Sequence, residues 1–154
     1  MMNEQYYQLL DAITIAWKAH EGQFRNDGVT PYITHPLTVM LNVDSYDAKI
    51  VAVLHDVLED DPDHYEYHVN VIEDLFGREI LNVITTLTKV DGFSYKDYID
   101  LICENQLARY VKQSDIRHNL ATIDPTNTKK IQQYKDALET IMLSSIRLGE
   151  VTPQ

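Results

Sequence analysis

Ile50-Val51-Ala52-Val53-Leu54-His55-Asp56-Val57-Leu58-Glu59-Asp60 is the stretch on which the fold of this chain turns. Its first half is apolar on every face, so the segment belongs inside a helical core rather than on its surface. His55 and Asp56 interrupt that run, and ionisable groups buried there must be paired, hydrogen-bonded or bound to a metal. With one helix running to about Asp60, where Pro62 stops it, Glu59 lies one turn above His55 and Asp60 one turn above Asp56. One helix edge then presents four functional groups, the lower pair fit to ligate and the upper pair to move protons. Read blandly, His55-Asp56 is a chance dipeptide near a helix end. Against that stand Glu59, Asp60 and Asp61, three acids at a C-terminus whose dipole opposes them, which calls for positive charge nearby.

Helical spacing continues on both sides. Glu4 to Gln23 carries Leu9, Ile13, Ala16, Trp17 and His20 at helical intervals. Asn26-Asp27-Gly28-Val29-Thr30-Pro31 reads as a loop, and Thr34 as an N-cap with Pro36 in the first turn of a helix to about Val43. Asp44 or Ser45 caps the central helix. Beyond Pro62, helices are expected over His64 to Phe76 and Arg78 to Lys89, parted by Gly77 as a C-cap, then over Tyr95 to Glu104 and Gln106 to Ile123. The last, over 128–148, aligns Ile131, Tyr134, Leu138, Ile141, Met142 and Ile146 and closes at Gly149. Strand-like alternation is nowhere sustained and no linker or repeat interrupts the chain. The expected fold is all-α, a helical bundle forming a single domain over residues 1–154.

Composition agrees and narrows the function. At 154 residues, 44% hydrophobic and 24% charged, the chain suits one globular domain, and five glycines and five prolines leave few turn signals for an all-β fold. The lone Cys103 cannot form an internal disulfide, which suits a reducing, cytoplasmic setting. Met1-Met2-Asn3-Glu4-Gln5 lacks the blocks of a signal peptide, and the longest apolar run, Ile50 to Leu54, is too short to span a bilayer. A net charge of −11 argues against bulk nucleic-acid binding, which needs a basic face. The ten tyrosines therefore read as packing residues rather than base-stacking platforms. A small anionic ligand stays compatible, given a metal or a local cationic patch. Arg147, Lys129 and Lys130 read as solvated. The oligomeric state is not legible.

Two further residues join the central pair as candidates. His35 opens a helix, so its side chain projects from a fixed terminus. Asp115 sits one turn beyond Val111 and one turn before Asn119, near an apolar stripe, where Asn119 can hold a ligand group on the same face. Two imidazoles and two carboxylates form a mixed nitrogen and oxygen set. That set suits Mn²⁺, Fe²⁺, Co²⁺ or Zn²⁺ better than Ca²⁺ or Mg²⁺.

Ala19-His20-Glu21-Gly22-Gln23-Phe24-Arg25, Pro31-Tyr32-Ile33-Thr34-His35-Pro36, His55-Asp56-Val57-Leu58-Glu59-Asp60, Leu87-Thr88-Lys89 and Val111-Lys112-Gln113-Ser114-Asp115 occur in this order. Together they resemble the HD-superfamily hydrolase domain of RelA/SpoT homologues, above all the stand-alone small alarmone hydrolases, over roughly residues 10 to 124. The resemblance implies an HD-domain helical bundle around one Mn²⁺ and removal of pyrophosphate from the 3′ position of (p)ppGpp. On the matching positions it implies metal ligation by His35, His55, Asp56 and Asp115, acid–base and water-positioning roles for Glu59 and Asp60, and nucleotide contacts from Arg25, Asn119, Thr122 and Lys112.

Three features depart from the family pattern. Asn26 stands where a lysine usually follows the arginine, Ile116-Arg117 reverses the usual order of arginine and apolar residue, and the segment from Asp60 to Phe76 is about four residues longer than usual. The first keeps other substrates open, among them the 2′-phosphate of NADPH and nucleoside monophosphates. A catalytically silent nucleotide-binding module is the remaining alternative, and the complete set of six acid–base and ligand residues speaks against it. The longer segment carries His64 and His68 at i, i+4 spacing. They read as two surface histidines, with a second metal site as the alternative.

Overall fold

The computed structural model describes residues 3–150; residues 1, 2 and 151–154, the ends of the expected domain, lie outside the described residues. Helix α1 spans Glu4–Ala19, α2 Thr34–Leu41, α3 Tyr46–Leu54, α4 Val57–Asp60, α5 Tyr65–Leu87, α6 Tyr95–Cys103, α7 Gln106–Thr122 and α8 Thr128–Arg147, with a 3₁₀ turn at Pro62–His64. Among the described residues the extended pairing is one isolated bridge, Phe24 to Pro31. None of these helices is long and apolar enough to cross a membrane. The all-α reading holds.

Helix α3 is the axis of the bundle. It packs against α1, α2, α5 and α7, which is why Ile50 through Leu54 are buried without an exposed face. The Ser45 hydroxyl caps it by accepting from Ala48 N–H. The expected continuation to Asp60 does not occur. His55 donates its Nδ1–H to the Ala52 carbonyl at 2.6 Å, drawing on an acceptor of the helix ladder. Asp56 follows in bridge-region backbone at φ −99°, ψ −6°. The helix then restarts as α4, with Asp60 N–H donating to the Asp56 carbonyl at 2.9 Å.

Other boundaries differ for local reasons. Thr34 is the first residue of α2 rather than its cap: Ile33 holds that position, and the Thr34 hydroxyl donates to the Pro31 carbonyl. α1 ends at Ala19, and its buried face is Ala12, Ala16 and Ala19, leaving Trp17 exposed. On α8 the buried face drifts to Ala137, Ile141, Ser144 and Ser145, so Met142 and Ile146 face solvent. The loop between α1 and α2 is held by paired main-chain bonds, Arg25 N–H to Thr30 O at 2.8 Å and Tyr32 N–H to Gln23 O at 2.9 Å. That loop fixes Arg25 over the bundle.

Gly77 divides α5 as anticipated, at φ 85°, ψ 165°, a conformation open essentially to glycine. No atom stands within 4 Å of where a Cβ would be, so any cost of substitution is conformational. Gly77→Ala should lower stability by about 1–3 kcal/mol, read as a lower urea midpoint at unchanged m-value.

Candidate metal centre and the pocket beside it

Three elements bring the candidate ligands together. His35 comes from the first turn of α2, His55 and Asp56 from the break after α3, and Asp115 from the middle of α7. His35 Nε2 lies 3.0 Å from Asp115 Oδ1 and 3.5 Å from Asp56 Oδ2, while His55 Nε2 lies 3.1 Å from Asp56 Oδ2 and 3.7 Å from Asp115 Oδ1. One donor atom each from His35, His55 and Asp115 falls within 4.8 Å of the others, and all three residues are buried. Asp56 stands at the same cluster, its Oδ2 also accepting from the Tyr32 hydroxyl at 2.7 Å. Both imidazoles turn Nε2 inward and spend Nδ1 elsewhere, His55 on the Ala52 carbonyl and His35 on His118 Nδ1 at 2.6 Å.

The cluster fits a divalent ion. His55 Nε2 is buried and makes no hydrogen bond despite the nearby carboxylate, an arrangement that is costly unless something else occupies that lone pair. The His-His-Asp donors can hold a metal, and their mixed chemistry suits a first-row transition ion.

Charge inside the cluster is balanced by a residue expected elsewhere. Lys112 is not among the residues that line the pocket beside the centre. It is buried, its Nζ sits 2.7 Å from Asp115 Oδ2, and its ammonium rests on the Tyr98 ring. Burial would push Asp115 up, but Lys112, then His35 and His55, hold it well below the usual carboxylate range. Lys112 is in turn held well above the usual lysine value: burial opposes its charge, and Asp115 outweighs burial. Burial likewise pushes the His55 imidazole down, yet Asp56 and Asp115 win and raise it well above its ordinary value. Asp56 is lowered, His55 overcoming its burial.

Glu59 and Asp60 follow the break and part company. Glu59 is exposed and accepts from Lys89 N–H at 3.0 Å. Asp60 is half-buried, and burial, then the charges of Asp56 and Glu59, push its carboxyl up to about 7. Gln23 Nε2 donates to the Asp60 carbonyl at 3.0 Å, tying the end of α1 to α4, and buried His20 donates Nδ1–H to Gln23 Oε1. The third acid, Asp61, takes His64 and His68 on its two oxygens at 2.9 and 2.7 Å. His68 is buried, so the pair is not two surface histidines. Asp61 raises the His64 imidazole above its ordinary value, so exposed His64 sets favourable charge beside the acidic helix end. Among the described residues, the gathered donor set is His35, His55 and Asp115 alone.

A pocket of about 250 Å³ adjoins the centre. Arg25 enters it from the α1–α2 loop and donates from Nη2 to Asn119 Oδ1 and Thr122 Oγ1, each at 3.0 Å. Asn119 Nδ2 donates onward to Asp115 Oδ1 at 2.7 Å, so one side chain joins pocket and centre. Asn26 also lines the pocket. So do His118, Tyr134 and Lys130, none of them singled out from sequence as site residues. Lys130 is half-buried rather than solvated, its Nζ 5.5 Å from the Tyr95 ring centre and 5.0 Å from that of Tyr134. Burial, then Lys89 and Lys112, lowers its pKa. The signal available in sequence was Lys130 and Tyr134 at i, i+4 on α8.

No protein-family model matches the chain. The bifunctional (p)ppGpp synthase/hydrolase SpoT of Escherichia coli is 31% identical over 163 residues, taking in 95% of this chain and 22% of that protein. The guanosine-3′,5′-bis(diphosphate) 3′-pyrophosphohydrolase of Haemophilus influenzae is 32% identical over 152 residues, 88% of this chain and 22% of that one. The chain thus spans less than a quarter of the length of these curated relatives. Among solved structures, a metazoan ortholog of SpoT, described as hydrolysing ppGpp, matches with a TM-score of 0.65 and 20% identity over 89% of this chain and 84% of that chain. The fold is the all-helical HD bundle.

If the cluster binds metal, Mn²⁺ at about 100 times its dissociation constant should stabilise the fold by roughly 2.7 kcal/mol. The rise in melting temperature should vanish in His55→Ala. Because ligation needs neutral imidazoles, protons compete with the ion and the rise should shrink as pH falls from 8 to 6. A rise that is unchanged in His55→Ala would contradict the assignment.

Proposed function

Along most of its length the chain is a homologue of one stretch of the SpoT-type (p)ppGpp hydrolases, and from that premise we propose that it is a metal-dependent phosphohydrolase acting on (p)ppGpp. It removes pyrophosphate from the 3′ position. The observation that carries this reading is Asn119, which bonds Arg25 with one end of its amide and Asp115 with the other. An anion received by the pocket is thereby delivered against the donor cluster.

In this reading His35, His55, Asp56 and Asp115 hold the ion, and Mn²⁺ is its expected identity. When bound, such an ion supplies Lewis acidity toward a phosphoryl oxygen and lowers the pKa of water toward neutrality. Arg25 binds the nucleotide's phosphates, with Asn119 and Thr122 holding its guanidinium in place. Lys130 lines the same pocket and adds a second cation, where Asn26 offers none. Asp60, whose carboxyl titrates near neutral pH, is suited to give or take the proton that hydrolysis moves. Glu59, its carboxylate held outward by Lys89 N–H, is the second acid–base group. Tyr32 keeps Asp56 oriented through its hydroxyl. The chain works in the cytoplasm, where half-buried Cys103 stays reduced.

A second substrate class has one observation behind it: Asn26 lines the pocket in place of a cation. The deciding assay therefore offers ppGpp, pppGpp, NADPH and nucleoside monophosphates with Mn²⁺ and follows pyrophosphate and phosphate release. Pyrophosphate from ppGpp should be lost in Asp56→Ala and reduced about a hundredfold or more in Glu59→Ala. Phosphate from NADPH instead would move the chain to the second class, and no release from any of the four would contradict hydrolysis of this set. Unchanged turnover in Glu59→Ala would remove its assigned role.

A further inference from the structure

The two imidazoles of the centre are anchored in different ways. His55 donates Nδ1–H to a main-chain carbonyl, which accepts and can do nothing else. His35 Nδ1 instead meets another imidazole, His118 Nδ1, at 2.6 Å, edge to edge, with the ring planes 20° apart and their centres 4.9 Å apart. One of these nitrogens donates and the other accepts, and the metal reading decides which. For His35 Nε2 to offer a lone pair, the proton of a neutral His35 must sit on Nδ1. Were His118 the donor, that proton would move to Nε2, facing Asp115 and Asp56, and His35 could not ligate.

We propose that His118 is a positioning residue for the metal ligand His35: its Nδ1 accepts the His35 Nδ1 proton and so fixes the tautomer and ring orientation that ligation needs. This rests on the metal-centre reading above. The His118 proton then belongs on Nε2. His118 also lines the pocket with Arg25, Asn119 and Thr122. It follows Asp115 by three positions on α7, so one helix carries a ligand, the partner of a second ligand and a wall of the substrate pocket. Outer partners of this kind tune metal affinity because they set the ligand's basicity and remove its rotational freedom.

The test is Mn²⁺ affinity by calorimetry on the full chain without nucleotide. His118→Phe keeps the ring and removes the acceptor, and should weaken binding about 10- to 100-fold; His118→Asn can place an amide oxygen near Nδ1 and should recover most of that loss. Wild-type affinity in His118→Phe, or His118→Asn as weak as His118→Phe, would overturn the proposal and leave the hydrolase reading standing. A wild type that takes up no Mn²⁺ would overturn both. A second measurement needs no variant: imidazole ¹⁵N spectra of the wild type loaded with diamagnetic Zn²⁺ should place the His118 proton on Nε2. A proton on His118 Nδ1 would overturn the assignment.

Discussion

Asp115 places a carboxylate where almost no water reaches, 3% exposed, at the crossing of α7 with α2 and α3. An isolated charge there would be expensive enough to neutralise itself. The surrounding residues prevent that. Lys112, one turn back on the same helix, sets an ammonium against one oxygen, while Asn119 Nδ2 donates to the other. A buried ion pair of this sort adds little net stability over a well-packed apolar pair. Its value lies in holding a charged oxygen donor at a defined point beside two imidazoles.

The break after α3 has the same logic. A helix continuing through His55 would carry His55 and Asp56 around its axis at the regular 100° per residue, on adjoining but diverging faces. By bonding Ala52, His55 leaves the ladder and allows Asp56 to fold back, until its Oδ2 stands within 3.5 Å of both imidazole Nε2 atoms. Asp60 keeps its one-turn relation to Asp56 through the restarted helix, whereas Glu59 swings out to Lys89. The break in the ladder thus sets the placement of four functional groups.

Much of this was legible in the sequence. Apolar periodicity, Ser45 and Gly77 delimit most helices, and ionisable residues inside the apolar run from Ile50 to Leu58 mark the centre. Less was visible where side chains compete with the main chain: periodicity cannot register that His55 takes a ladder carbonyl. Spacing also cannot report which neighbour wins a charge. Lys112 stands at i, i+3 from Asp115, yet its burial there follows from tertiary packing. Arg25 meets Asn119 and Thr122 across 94 and 97 residues; their association came from family resemblance and not from local pattern. His118 and Lys130 were missed because the site is completed by the contact of His118 with His35, 83 residues away, and by α8, both of them tertiary facts.

In the proposed centre, His35 and His55 act together as nitrogen donors to one ion. Pulsed electron paramagnetic resonance of the Mn²⁺-loaded protein reads this directly. One bound ion per chain is expected, with modulation from two histidine nitrogens, one of them lost in His35→Ala. An all-oxygen spectrum indistinguishable from hydrated Mn²⁺ would contradict it.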